Sequence, residues 1–130
     1  NIKWTYNGAL PTGLTSLYLA GANINWTGAV LGNPSTPKPN MALFQFLDYR
    51  NPSDTMDYTQ LLSMLSSLIN NVGTLPTTVT IREQIAANVT AIAAASANET
   101  GSDAEKCKYY INLIKSTKGV TTFTLNTTNI

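Results

Sequence analysis

Apolar and polar residues alternate from the start of the chain: Ile2, Trp4 and Tyr6 are separated by Lys3, Thr5 and Asn7. That period of two predicts a strand with one dry face and one wet face. Asn7-Gly8 then signals a turn. From Leu14 to Trp26 the alternation returns, with Tyr18, Ala20, Ala22, Ile24 and Trp26 on one side and Asn23, Asn25 and Thr27 on the other. This predicts one long strand, or two broken near Gly21, with the aromatic side turned to the core. The stretch from Gly32 to Asn40 holds Pro34, Pro37 and Pro39 and is expected to be an exposed loop. Met41 to Tyr49 is apolar at both alternating sets except Gln45 and Asp48, the pattern of a strand buried on both faces.

After Asn51-Pro52-Ser53 the period becomes helical. Tyr58, Leu61, Leu62, Leu65, Leu68, Ile69 and Val72 form one stripe, with Asp54 as a cap and Gly73 as a left-handed stop. A second helix is expected after Pro76, where Thr80 and Glu83 have capping-box spacing and Ile81, Ile85, Val89 and Ile92 share a face; its alanine-rich remainder permits close packing on several sides. The third helix has Ser102 and Glu105 as its capping box, Asp103 in the first turn, Lys115 in the last, and a stop near Gly119. Val120 to Thr128 alternates again, with Phe123 and Leu125 on one face and Thr122, Thr124 and Asn126 on the other.

Three strands, three helices and a final strand predict an α+β fold: a small, mainly antiparallel sheet built from terminal and central strands, with three helices packed on one face. At 130 residues the chain is read as a single domain, 1–130.

Composition changes the picture at the surface. Charged residues make up 12% of the chain, about half the roughly 25% usual for soluble domains. The chain's 14 Asn, 19 Thr and 9 Ser residues take their place. Little charge repulsion then opposes self-association. The formal charge is +1 and the basic residues, from Lys3 to Lys118, form no stripe. Nucleic acid and anionic lipid are therefore disfavoured partners. No apolar run reaches the roughly 18 residues a membrane span needs. The start at Asn1, without a basic-then-apolar leader, fits a mature chain whose signal segment has been removed.

The absence of histidine removes the commonest general base and the commonest metal ligand. Ser35 and Lys38 match a Ser-x-x-Lys spacing but lie in the proline-rich stretch rather than at a helix start. The carboxylate pairs Asp54 with Asp57 and Glu99 with Asp103 are explained by helix capping. Cys107 lies among Ala104, Ile111 and Ile114 at helical spacing, as a small buried hydrophobe would. No catalytic residue, metal site or cofactor is assigned, and the chain is expected not to be an enzyme.

Four Asn-x-Thr sequons remain: Asn25, Asn88, Asn98 and Asn126. Asn25 and Asn126 fall on polar strand faces and Asn98 at a helix end, all expected to be exposed, whereas Asn88 borders the apolar stripe of the second helix. Trp4, Tyr6, Tyr18 and Trp26 offer an aromatic surface for sugars, against the reading that they face the core.

The chain is therefore expected to be an extracellular or cell-surface structural subunit of a repeating assembly, such as a filament, surface layer or coat. Its partners are copies of itself and N-linked glycans. Assembly contacts are expected at Ile2, Trp4 and Tyr6 or at Phe123 and Leu125, through exchange of a terminal strand. The alternative is a secreted domain that binds glycans or a surface.

Overall fold

A computed structural model describes residues 4–5, 13–20, 24–25, 33, 37–47, 56–82 and 87–130. Among these lie seven strands and three helices: β1 (Trp4–Thr5), β2 (Ser16–Ala20), β3 (Ile24–Asn25), β4 (Leu43–Leu47), α1 (Tyr58–Asn71), β5 (Thr78–Ile81), α2 (Val89–Ala94), α3 (Asp103–Lys118), β6 (Thr122–Leu125) and β7 (Thr128–Asn129). β1 and β3 pair in parallel as a two-stranded sheet, Trp4 opposite Ile24 and Thr5 opposite Asn25. The other five strands form the main sheet in the order β2-β4-β5-β6-β7.

The mixture of helices and sheet is as expected, but the sheet is mostly parallel, not mainly antiparallel. β2, β4, β5 and β6 run parallel to one another and the short β7 alone is antiparallel. The difference traces to Thr77–Ile81. Thr80 and Glu83 mimic a capping box, yet Thr77, Thr78, Val79, Thr80 and Ile81 are all β-branched, stiff at χ1 and suited to a pleated surface. The segment is a strand, and α2 starts only at Val89. A strand between the first and second helices turns a run of three helices into two crossovers, β4-α1-β5 and β5-α2-α3-β6. Such crossovers join parallel neighbours.

From β4 through β5 to β6 the chain steps along the sheet in one direction. Right-handed crossovers stepping one way lay their helices on the same face, and burial agrees. Val79, Ile81, Phe123 and Leu125 join Met64, Leu65 and Leu68 of α1, Ile92 of α2 and Cys107, Ile111 and Ile114 of α3 in one buried core. Phe44 of β4 is fully buried with them, and Leu17 of β2, opposite Phe44 in the ladder, packs against the same core.

Among the described side chains of β4, Phe44 is fully buried while Leu43, at 36% exposure, and the half-buried Gln45 lie on the other face, so the strand is not buried on both as expected. Tyr18, expected to face the core, points away from it and is 52% exposed. The pleat places Leu17 inward, and its neighbour must then turn out.

Local capping follows the sequence with two corrections. Asp57 caps α1, its Oδ1 accepting from the Gln60 N–H at 2.9 Å; the expected cap, Asp54, lies outside the described residues. α1 ends on the extended Val72, so Gly73 supplies no left-handed stop. Its lack of a side chain has another use, since a Cβ there would collide with Asn40. The Gly73 N–H donates to the Pro39 carbonyl at 2.9 Å, and the Met41 N–H to that of Thr74 at 2.9 Å. Part of the proline-rich loop is therefore held against the end of α1, with Pro39 buried. The Gly119 stop of α3 is left-handed, at φ 77°.

Candidate functional site

Burial pushes the Cys107 thiol up to about 12, with Asp103 adding to the effect, so it is inert at neutral pH. Asp57 caps α1 and Glu105 caps α3, the latter accepting from the Ser102 N–H at 2.9 Å and held below the usual carboxylate range by that bond. Among the described residues no three His, Cys, Asp or Glu side chains gather as metal ligands. Ser35 lies outside the described residues, and Lys38 is half-buried. No helix of the described residues is long and apolar enough to cross a membrane.

The lysines of α3 are mostly committed to structure. Lys108 Nζ donates to the Ala93 carbonyl at the end of α2 at 2.9 Å, Lys115 Nζ to that of Ile130 at 2.9 Å, and Lys118 Nζ to that of Val72 at the end of α1 at 2.6 Å. Two of these place a cation at a helix C-terminus, where the dipole favours it. Burial, with Lys38 nearby, lowers the pKa of Lys118.

Lys106 instead lines a shallow open groove of about 380 Å³ between α1 and α3, with Tyr110, Leu62, Ser63, Ser66 and Glu99. The groove was not read from the sequence, because its lining comes from two helices whose facing depends on the fold.

The sequons occupy different settings. Asn98 is exposed and closes an Asx turn: its Oδ1 accepts from the Thr100 N–H at 3.1 Å and from the Thr100 hydroxyl at 3.2 Å. A Cβ at Gly101 would stand 2.9 Å from Asn98 Nδ2, so that glycine leaves room for the amide. Asn88 is exposed and caps α2, its Oδ1 accepting from the Ala91 N–H at 3.0 Å. It therefore precedes its helix rather than bordering an apolar stripe, and the cap leaves Nδ2 uncommitted among the described residues. Asn126 is half-buried at φ 56° in the two-residue turn between β6 and β7, not on a strand face. Asn25 is paired in β3.

Of the expected assembly contacts, Phe123 and Leu125 are fully buried in the chain's own core, on a strand flanked on both sides. Trp4 is paired in β1, while Ile2 and Tyr6 lie outside the described residues, as does Trp26 of the aromatic set.

The feature the sequence reading missed is the face of the main sheet opposite the helices. Tyr18, Gln45, Thr80, Thr124 and Asn129 stand opposite one another across five strands. Thr78 and Thr122 pair two residues away on the same face. The signal was present in Thr78-Val79-Thr80 and Thr122-Phe123-Thr124, two alternations that become neighbours only once β5 is a strand. No strand-order reversal occurs along β4, β5 and β6, so these strands form none of the switch-point crevices in which open α/β sheets hold nucleotides. Comparison with protein-family models, with curated proteins and with solved structures finds no match.

Proposed function

We propose that this chain is an N-glycosylated extracellular or cell-surface domain that serves as the structural subunit of a repeating assembly. The observation that carries the reading is the Asn98 sequon. Its asparagine is exposed, and its threonine hydroxyl bonds the side-chain amide across a tight turn. Asn88 adds a second exposed acceptor. The sparse charge of the chain favours self-association, as argued from composition.

Strand exchange, if it drives assembly, moves β6 and β7 together. β6 alone lies between β5 and β7, and the exposed left-handed Gly119 is the natural hinge. A second reading, a secreted domain that binds glycans or a surface, is favoured by the outward Tyr18.

Intact-mass measurement and light scattering of native material test the first reading. The expected mass exceeds the 14.0 kDa of the bare chain, falls on enzymatic deglycosylation, and loses one glycan in Asn98→Gln. The scattering mass is expected to be that of large particles. A bare mass and a monomeric size together would overturn it.

A further inference from the structure

We propose that the sheet face opposite the helices binds neutral polysaccharide, with Tyr18 as the stacking platform and the Gln45–Thr80–Thr124 row as its hydrogen-bonding track. This rests on the second of the two readings above and does not require the first.

Parallel sheets are ordinarily covered on both faces and written as continuous apolar runs. Here β4, β5 and β6 step one way, and on the sheet face away from the core Tyr18, Leu43 and Thr78 are exposed while Gln45, Thr80, Thr122 and Thr124 are half-buried. β5 and β6 are written for that exposure: Thr78 and Thr80, then Thr122 and Thr124, alternate with the buried Val79, Ile81, Phe123 and Leu125. A second apolar layer would have selected apolar residues at those positions. Hydroxyls at every one of them suit an occupant that is itself hydroxylated.

Among the described residues the hydrogen-bonding capacity of the row is largely uncommitted. Thr124 Oγ1 donates to Asn129 Oδ1 at 2.8 Å and closes the row at its β7 end. Among the described residues, the hydroxyls of Thr78, Thr80 and Thr122 and the amide of Gln45 have no hydrogen-bond partner. Each offers both a donor and an acceptor, matching the dual character of a sugar hydroxyl. Tyr18 opposes Gln45 at the β2 end, presenting a ring against which the apolar face of a pyranose can lie.

Charge and size narrow the occupant. The outward positions of β2, β4, β5 and β6 among the described residues carry no charged side chain, and the nearest described charge along the chain past these strands is Arg82, one residue beyond β5. Acidic glycans, phosphates and nucleic acid therefore find no counter-charge on the row. Four strands about 4.8 Å apart and about 15 Å long present roughly 300 Å², well short of the roughly 800 Å² per partner of a stable protein interface. A second copy of the chain is poorly matched to that area; a few sugar rings laid across the strands are well matched.

The test uses the full chain in calorimetric titrations with cellohexaose, chitohexaose and maltohexaose, with heparin as the anionic arm. At least one neutral hexasaccharide is expected to bind and heparin is not. Tyr18→Ala is expected to weaken binding about tenfold, and Thr80→Val about threefold or more, with circular dichroism unchanged because both side chains point out of the core.

Neutral-sugar binding that survives both substitutions would overturn this site while leaving the glycan-binding reading in place. Failure of all three neutral sugars overturns the site and that reading together. Binding of heparin alone, or concentration-dependent dimerisation that Tyr18→Ala abolishes, overturns it in favour of an anionic ligand or a second copy.

Discussion

Ser102 and Glu105 hold the start of α3 by reciprocal bonds, the Glu105 N–H donating to Ser102 Oγ at 3.3 Å and the Ser102 N–H to Glu105 Oε1 at 2.9 Å. Both satisfy backbone donors that the helix leaves open. Replacing Ser102 by Ala removes one partner and is expected to cost about 1 kcal/mol, read as a lower denaturant midpoint at unchanged slope, whereas Ser102→Thr keeps most of it. An unchanged midpoint in Ser102→Ala would show that the box adds nothing to the folded state. This pair was legible in the sequence because a cap needs only residues three apart. Tyr18 was not, because its facing is set by Leu17 meeting Phe44 on another strand. Tyr18, Ala20 and Ile24 satisfy an alternation as well as Leu17 and Leu19 do, so pattern alone left two choices of face.

At the level of elements, α1, α3 and β6 were readable because each carries its signal within itself: a long apolar stripe, a capping box with a glycine stop, and a clean alternation. β5 was hidden because its four residues sit where Thr80 and Glu83 imitate a helix start, and four residues show too few periods to arbitrate. The orientation of the whole sheet hung on that one strand. β6 is interior and contributes Phe123 and Leu125 to the core, while β7 is a two-residue edge. Deleting residues 126–130 is therefore expected to keep the helical circular dichroism and a cooperative, lower melting transition. The loss includes the Lys115–Ile130 bond and the packing of Ile130. Deleting 120–130 removes two fully buried core side chains, at about 2–5 kcal/mol each. That is expected to abolish cooperative unfolding, since it rivals a small domain's entire stability. Equal melting of the two truncations would refute the interior placement of β6.

For the molecule as a whole, the pH dependence of stability follows from which groups are present and how the fold shifts them. There is no histidine to titrate near 6.5. Glu105, half-buried, has its folded pKa lowered by its bonds to Ser102. Its contribution is present above the ordinary value of 4.5 and is lost as pH falls through the folded value. Cys107 is shifted the other way, from 9.0 to about 12. A raised folded pKa means the native state holds the proton more tightly. The contribution is then complete below 9 and is lost as pH rises toward 12, because the unfolded thiol ionises while the buried one does not. The expected profile is a plateau in melting temperature from about pH 5.5 to 8, bounded by the carboxylate and thiol ranges. Above 9 the thiol contributes a fall of about 1.4 kcal/mol per pH unit. The comparison that isolates Cys107 is the Cys107→Ala variant. Its alkaline limb is expected to be shallower than that of the wild-type chain, on a plateau lowered by the lost packing. A transition centred near pH 6.5, or superimposable alkaline limbs in the two proteins, would contradict the assignment of these groups.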